Sequence, residues 1–363
     1  MQLFRNWKSK TFIAKSLANN IISPRDLSYV VEAKSWAIRY VGSQVIKNIN
    51  TSTDIKATIT STNFALRNSL VHFGSLHTIF RGKQPKKLTL NNKYVLSIFH
   101  LLPQKSNPFF LVRISNQVFY IHTSCENTKK KIIDKGIPEN KVKVIPLGVD
   151  LQTFKPADSG KKSSIRQKLN IPKNSFVIGS FQKDGIGWQD GLQPKLEKGP
   201  DIFIKTVKEV NKSHPLHVLL IGPARGYVKT NLKKAGVPFT HLGYLPDINE
   251  VAPYYSALDA YLITSREEGG PLALLEAWAS KIPVISTEVG MVPDIANDKK
   301  TALLANSEDV KTLSQKISTL ISSKELNKQL TEQAYTQAKK FDWPLIAQRY
   351  YNELYKPLLK QHT

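Results

Sequence analysis

The residues with the clearest capacity for chemistry lie in one stretch, TSREEGGPLALLEAWASKIPVISTEVGMVPDI (264–295). Its pattern predicts a strand ending at Ser265, then Glu267 and Glu268, then Gly269 and Gly270, then Pro271 opening a helix that carries Glu276. Proline is favoured at the first helical position. Two glycines before it allow a ligand to approach the backbone closely, and the unpaired amides of a helix start suit a phosphate. Glu268 falls in the loop facing such a ligand. Glu276 lies more than one turn into the helix, where a carboxylate can accept two hydrogen bonds from a vicinal diol such as ribose. A structural alternative makes Glu267 and Glu268 favourable charges near a helix N-terminus and leaves Glu276 facing solvent.

Other polar groups carry less. His72 and His77 stand five apart with no cysteine or carboxylate nearby, so they do not read as a metal site. Cys125 has no evident activating neighbour, and Lys129–Lys131 read as a solvated helix face. No Asp-x-Asp pair occurs, so the usual carboxylate site for a bridging divalent metal is absent from the sequence.

Positioning these residues requires a scaffold, and the pattern of the chain supplies one. Short apolar runs at 29–33, 56–61, 70–74, 94–100, 118–124 and 142–148 predict strands, with helices over 42–50 and 126–136. The stretch FKPADSGKKSSIRQKLNIPKNS (154–175) reads as a linker. Strands are predicted again at 176–181, 217–222, 239–243, 260–265, 283–287 and 302–305, with helices over 201–212, 248–257, 271–280 and 309–322. Strands alternating with helices imply parallel sheets built of βαβ units. Near-continuous apolar strands imply helices on both faces. The architecture is therefore α/β, two doubly wound domains joined near 155–175, with the interdomain cleft as the natural site.

Glu268 and Glu276, separated by seven residues, resemble the paired glutamates of retaining GT-B glycosyltransferases of family 4. EGGPLALLEAWASKIPVIS resembles that family's donor-site loop and helix, and ALDAYLITS (257–265) the strand leading into it. VKVIPLGVDLQTFKP (142–156) is similar to its interdomain segment, LEKGPDIFIKTV (196–207) to its lysine-bearing helix start, and FDWPLIAQRYYNELYKPLL (341–359) to its closing helix. The likeness runs from about residue 94 to the C-terminus. It implies a GT-B fold: residues 1–160 as a Rossmann-like acceptor domain, completed by a C-terminal helix over about 342–363 that crosses back, and 170–340 as a Rossmann-like nucleotide-sugar domain.

The resemblance also implies roles. Lys198 would bind phosphate, Glu268 a hydroxyl of the transferred sugar and Glu276 the ribose, with the backbone of Gly269, Gly270, Pro271 and Leu272 facing sugar and phosphate. The family usually adds an arginine after the first donor-domain strand, but GSFQKDG (179–185) has none. Lys183 or Arg225 would take its place, and lysine lacks arginine's bidentate fork. His100, ending a strand in SIFHLLP, resembles the family's histidine near the transferred sugar, and Gly42 in RYVGSQ is the candidate for its acceptor-side glycine loop. The donor is a substrate. No cofactor and no metal are implied, and lysines with the helix dipole would do the metal's work. The acceptor would be a glycan or lipid-linked molecule, in polysaccharide or glycolipid synthesis.

Length and charge frame these expectations. At 363 residues, 41% hydrophobic and 22% charged, the chain is globular and long enough for two domains. No apolar run approaches the ~18 residues of a membrane span. One cysteine excludes an intrachain disulfide, and the N-terminus lacks an apolar signal core, so a reducing, cytoplasmic setting is expected. Net charge is +24; residues 1–150 hold 23 Lys/Arg against 7 Asp/Glu, the remainder 29 against 21. The basic first part would attract an anionic partner. Leu3, Trp7, Ala14, Leu17 and Ile21, interleaved with Arg5, Lys8, Lys10 and Lys15, form a stripe that could lie on an anionic membrane or pack on the domain. Nucleic acid would require basic residues interleaved with stacking aromatics or a reading motif, and neither is present. A basic nucleic-acid-binding protein and an inactive GT-B scaffold are the alternatives to the enzyme.

Overall fold

A computed structural model describes residues 2–22, 25–33, 37–81, 84–86, 88–101, 108–158 and 160–359. The chain divides into two units, Met1–Gly148 with Trp343–Thr363, and Val149–Asp342.

The first unit holds a sheet of six parallel strands, β1 (Leu27–Val30), β2 (Ala57–Thr60), β3 (Leu70–Phe73), β4 (Lys93–Ser97), β5 (Tyr120–Thr123) and β6 (Val142–Val144), in the order β2-β1-β3-β4-β5-β6. Helices α1 (Gln2–Ile22), α2 (Ala37–Ser52), α3 (Pro108–Ser115) and α4 (Glu126–Ile133) accompany it. Strands β1, β3 and β5 are buried almost throughout, as expected of a parallel sheet covered on both faces.

The second unit repeats the plan with β7 (Phe176–Phe181), β8 (Leu216–Ile221), β9 (Phe239–His241), β10 (Ala260–Ile263), β11 (Val284–Thr287) and β12 (Leu303–Ala305), ordered β9-β8-β7-β10-β11-β12 and again all parallel. Its helices are α5 (Lys161–Lys168), α6 (Pro200–Val210), α7 (Gly226–Lys234), α8 (Ile248–Val251), α9 (Leu272–Ala279), α10 (Val292–Ile295), α11 (Val310–Ser322) and α12 (Lys324–Ala338). Strand order reverses between β7 and β10, and ligands of doubly wound sheets bind beyond the carboxyl ends at such a switch point. The loops after these two strands carry Lys183 and Glu268.

The stretch expected to be a linker is structured instead. The boundary falls at Gly148, and residues 161–168 form α5 within the second unit. Its basic residues are the reason: Lys162 Nζ and Arg166 Nη2 each lie 2.6 Å from an Asp259 oxygen, and Arg166 Nε donates to the Ala257 carbonyl at 2.9 Å.

Helix α13 (Trp343–Tyr350) belongs to the first unit, as the crossing-back expectation required, and buries Trp343, Ile346, Ala347 and Tyr350. Residues 351–355 continue it as one π-helical turn, which turns Tyr350 and Tyr355, five apart, toward the same side. Both phenols join a fully buried relay across the sheet. His122 Nε2 lies 2.9 Å from the Ile145 carbonyl, which can only accept, so this nitrogen carries the proton. Nδ1 then accepts from Ser97 Oγ (2.7 Å), Ser97 Oγ accepts from His72 Nε2 (2.8 Å), and His72 Nδ1 accepts from the Tyr355 hydroxyl (2.6 Å). These four bonds run in one direction, and the Tyr350 hydroxyl lies 3.1 Å from His122 Nε2. Burial holds His72 well below the ordinary histidine range, with His122 adding to the effect. Burial likewise lowers His122, to about 4.

Gly42 lies inside α2 rather than in a loop. A Cβ there would stand 2.8 Å from the Tyr29 ring, so its smallness serves the packing of α2 on β1. Gly42 is therefore a helical glycine and not part of the glycine loop that the resemblance implied.

Neutral histidines imply a pH window. The unfolded chain takes up protons below about pH 6.5 that the folded relay refuses down to about 4, so stability is full at neutral pH and falls across this interval. His122 alone corresponds to ~3 kcal/mol. Circular dichroism melts between pH 7.5 and 4.5 should show this loss, and His122→Gln should be less stable at pH 7.5 yet flatter with pH. An unchanged slope in the variant would contradict the relay.

Candidate active site

The two loops at the switch point are stitched together through their backbones. The Glu197 carbonyl accepts from the amides of Arg266 (2.9 Å) and Glu267 (3.1 Å), and Thr264 Oγ1 donates to the Gly199 carbonyl at 2.8 Å. Gly199 adopts φ +59°, and a Cβ there would stand 1.8 Å from the Thr264 oxygen, so only glycine permits this approach. Arg266 closes the seam with bidentate contacts to Asp201 at 2.7 Å, a bond to the Leu196 carbonyl at 2.7 Å and an ion pair with Glu308. Those contacts hold the Arg266 guanidinium above its ordinary range and lower Asp201.

This seam brings Lys198 and Glu268 together. Lys198 Nζ lies 2.5 Å from Glu268 Oε1, and Ser265 Oγ donates to the same oxygen at 3.0 Å. The pair is partly shielded, with side chains 27% and 12% exposed. Behind the loop, Gly290 (φ +55°) presses against the Glu268 and Gly269 carbonyls; a Cβ would stand 2.8 and 2.5 Å from them. Gly269 is buried and Gly270 half-buried. Pro271 caps α9 instead of occupying its first position, and Leu272 is the first helical residue, half-buried.

Glu276 is buried within α9 at 7% exposure, not solvent-facing. Tyr255 donates its hydroxyl to Glu276 Oε2 at 2.6 Å. Burial pushes the Glu276 carboxyl up to about 7, against the pull of that hydrogen bond. Folding with a group raised in this way is favoured below the unfolded value and loses that advantage as pH rises through 7.

The two candidates for the missing arginine differ. Lys183 is half-buried, its ammonium 5.0 Å from the centre of the Trp188 ring. Arg225 is fully buried. Its Nη1 donates to the Ser180 and Gln182 carbonyls (3.0 and 2.8 Å), its Nη2 to Ser180 Oγ (3.0 Å), and Asp184 lies 3.2 Å away. Arg225 thus braces the corner after β7 and has no exposed surface to offer a phosphate, which corrects the expectation that it supplies one. His100 sits in the first unit after β4 and is exposed.

Sequence reasoning missed Tyr255, Ser265, Arg266, Gly199 and Gly290. The two glycines carried a signal, since each precedes a proline-containing helix start; the others are set by tertiary contacts. Among the described residues, no group of three or more His, Cys, Asp or Glu could hold a metal ion.

Comparison with known proteins bears on the family and the fold. Residues 193–337 match the model of the family described as glycosyl transferases group 1. The matched stretch is 145 of the 363 residues. It spans α6 to α12 and contains Lys198, Glu268 and Glu276. A D-inositol 3-phosphate glycosyltransferase of Corynebacterium jeikeium is 27% identical over 60% of this chain and 52% of its own length. An N,N'-diacetylbacillosaminyl-diphospho-undecaprenol alpha-1,3-N-acetylgalactosaminyltransferase of Campylobacter jejuni is 28% identical over 68% and 62%. The chain spans about half the length of the first curated relatives it matches. In fold, Anabaena Alr3699/HepE in complex with UDP-glucose is similar with a TM-score of 0.73 at 16% identity, over 91% of this chain and 99% of that one. Two Rossmann-like units with parallel six-stranded sheets make the fold GT-B.

The Lys198–Glu268 pair sets up a prediction. A phosphate binding at Lys198 would have to displace the carboxylate from the ammonium. Glu268→Gln should bind nucleoside diphosphates about three- to tenfold more tightly, because a competitor is removed, while sugar transfer falls about 10- to 100-fold with the loss of a charged hydrogen bond. Calorimetry beside a donor-hydrolysis assay checks both arms.

Proposed function

We propose that the protein is a retaining, family-4-type glycosyltransferase that moves a sugar from a nucleotide-sugar donor to a glycan or lipid-linked acceptor. The observation that carries this reading is the seam at the switch point. It seats a cation, Lys198, and an acid, Glu268, at the start of a helix whose buried Glu276 is suited to a ribose diol. Relatives named for inositol phosphate and for a diphospho-undecaprenol-linked sugar, and a fold neighbour determined with UDP-glucose, support the donor and acceptor classes.

In this mechanism the bond from the anomeric carbon to the phosphate oxygen breaks. The acceptor oxygen bonds that carbon on the same face, and its proton passes to the departing phosphate. Lys198 and the amides of Gly269, Gly270 and Leu272 stabilise the charge that grows there. Glu268 holds a sugar hydroxyl and Glu276 the ribose. Lys183 is the second cation, released from Trp188, and His100 the proposed partner of a sugar hydroxyl. No divalent metal is required.

The acceptor side is proposed to work at an anionic membrane surface, in polysaccharide or glycolipid synthesis. Helix α1 supports this. It buries Ser16 and Asn20, which bond the Ser61 amide and the Thr62 and Phe64 carbonyls. Ile13 (41%), Ile21 (67%) and Phe64 (66%) are left exposed beside Lys10 and Lys15. The side chains of Leu3 and Trp7 lie outside the described ones. No described helix is long and apolar enough to cross a membrane.

A thermal-shift panel of UDP-, GDP- and ADP-sugars tests the enzyme reading. One base should stabilise the protein, Lys198→Ala should abolish the shift, and hydrolysis of that donor should survive EDTA. No shift with any nucleotide would favour a basic polyanion-binding protein instead. For the membrane arm, the protein should float with phosphatidylglycerol vesicles at 0.15 M salt and Ile13→Asp/Ile21→Asp should not; indifference of the parent chain removes that arm.

A further inference from the structure

Glu276 holds its place by an unequal arrangement of hydrogen bonds. Tyr255 donates to Oε2 at 2.6 Å, whereas Oε1 takes no hydrogen bond from any described residue. Oε1 is nevertheless not among the sealed, unpartnered side-chain atoms of the described residues, so it reaches accessible space. One oxygen tied and the other accessible is the arrangement of half a diol-binding site. We propose that Tyr255 is a positioning residue for the donor: its hydroxyl fixes Oε2 of Glu276 and thereby presents Oε1 to the vicinal hydroxyls of a nucleotide's ribose. The assignment rests on the donor-site reading and adds to it a residue outside the matched loop.

The phenol is well held for such a role. Tyr255 is fully buried, in the turn before β10. Its ring meets Phe154 and Phe181 edge-on at 5.6 and 4.9 Å and stacks on Tyr261 at 5.7 Å. Tyr261 in turn accepts from the Phe181 amide at 2.7 Å, and Phe181 is the last residue of β7 before the loop carrying Lys183. One aromatic cluster therefore sets both the Glu276 carboxylate and the start of the first phosphate-side loop. A short O–H···O bond to a carboxylate is among the stronger ones available to a neutral donor.

The ionisable groups facing Glu276 are few. Tyr255 and Tyr261 are the titratable groups coupled to it, both pushed upward by burial and by the Glu276 charge. The other elements packed on α9 turn uncharged residues inward: Val284–Thr287 of β11, and Leu330, Thr331 and Ala334 of α12. The hydrogen bond from Tyr255 favours the ionised form of Glu276, so its loss raises the carboxyl further.

The test compares the parent chain with Tyr255→Phe, which keeps the ring and removes only the hydroxyl. Calorimetry with UDP, GDP and ADP, each beside its 2′-deoxy form, isolates the ribose contribution from titration of the phosphates. In the parent chain the ribonucleotide should be preferred about tenfold at pH 8, with the preference fading as pH falls through about 7. In Tyr255→Phe the preference should shrink to less than about threefold and its midpoint should move to higher pH. Glu276→Gln should make the residual preference independent of pH. Infrared titration of the buried carboxyl gives a readout that needs no ligand, and its midpoint should rise in Tyr255→Phe. An unchanged ribose preference with an unchanged midpoint would overturn the role of Tyr255 while leaving the donor reading intact. If no nucleotide binds the parent chain, the donor reading falls and the positioning role falls with it.

Discussion

The seam between the Glu197 carbonyl and the amides of Arg266 and Glu267 is the constraint on which the candidate site depends. It joins residues 69 and 70 positions apart through main-chain atoms, so it does not rely on any rotamer. Gly199 makes it possible by allowing the Thr264 oxygen into the space a side chain would fill. Two consequences follow from the one contact. The turn before α6 cannot drift from the end of β10, and the ammonium of Lys198 is delivered to the carboxylate of Glu268. Sheet order does the rest, since β7 and β10 are neighbours whose connections leave in opposite directions.

The charges of the candidate site neutralise each other. Lys198 and Glu268 satisfy each other, and Glu268 gains a further bond from Ser265. Such an arrangement keeps a partly shielded charge from being stranded. Glu276 represents the opposite choice. Its carboxyl is buried and raised, which opposes folding at neutral pH, and a diol would relieve that burden.

Much of this was legible in the sequence because the apolar runs have the length and continuity of buried parallel strands. All twelve principal strands fall on runs read as strands, with ends differing by a few residues. Glu268, Gly269, Gly270 and Glu276 were read as one candidate site from their types and spacing, and the structure places them on one loop and the helix that follows it. What was not legible depends on tertiary contact. Residues 154–175 look like a linker by composition, yet Asp259 recruits Lys162 and Arg166 to make a helix of part of them. Arg225 looks like a free cation, yet the carbonyls at the end of β7 claim its guanidinium. Gly42 looks like a loop glycine, yet a tyrosine ring explains it. The relay from Tyr355 through His72, Ser97 and His122 to the Ile145 carbonyl joins residues 283 positions apart, beyond the reach of any local pattern.

A crystal structure of the full chain with the nucleoside diphosphate that it binds tests the central claim most directly. The account predicts Lys198 Nζ turned from Glu268 to a phosphate oxygen at hydrogen-bond distance, with both ribose hydroxyls on Glu276. A nucleotide bound elsewhere, with the Lys198–Glu268 contact intact, would contradict it.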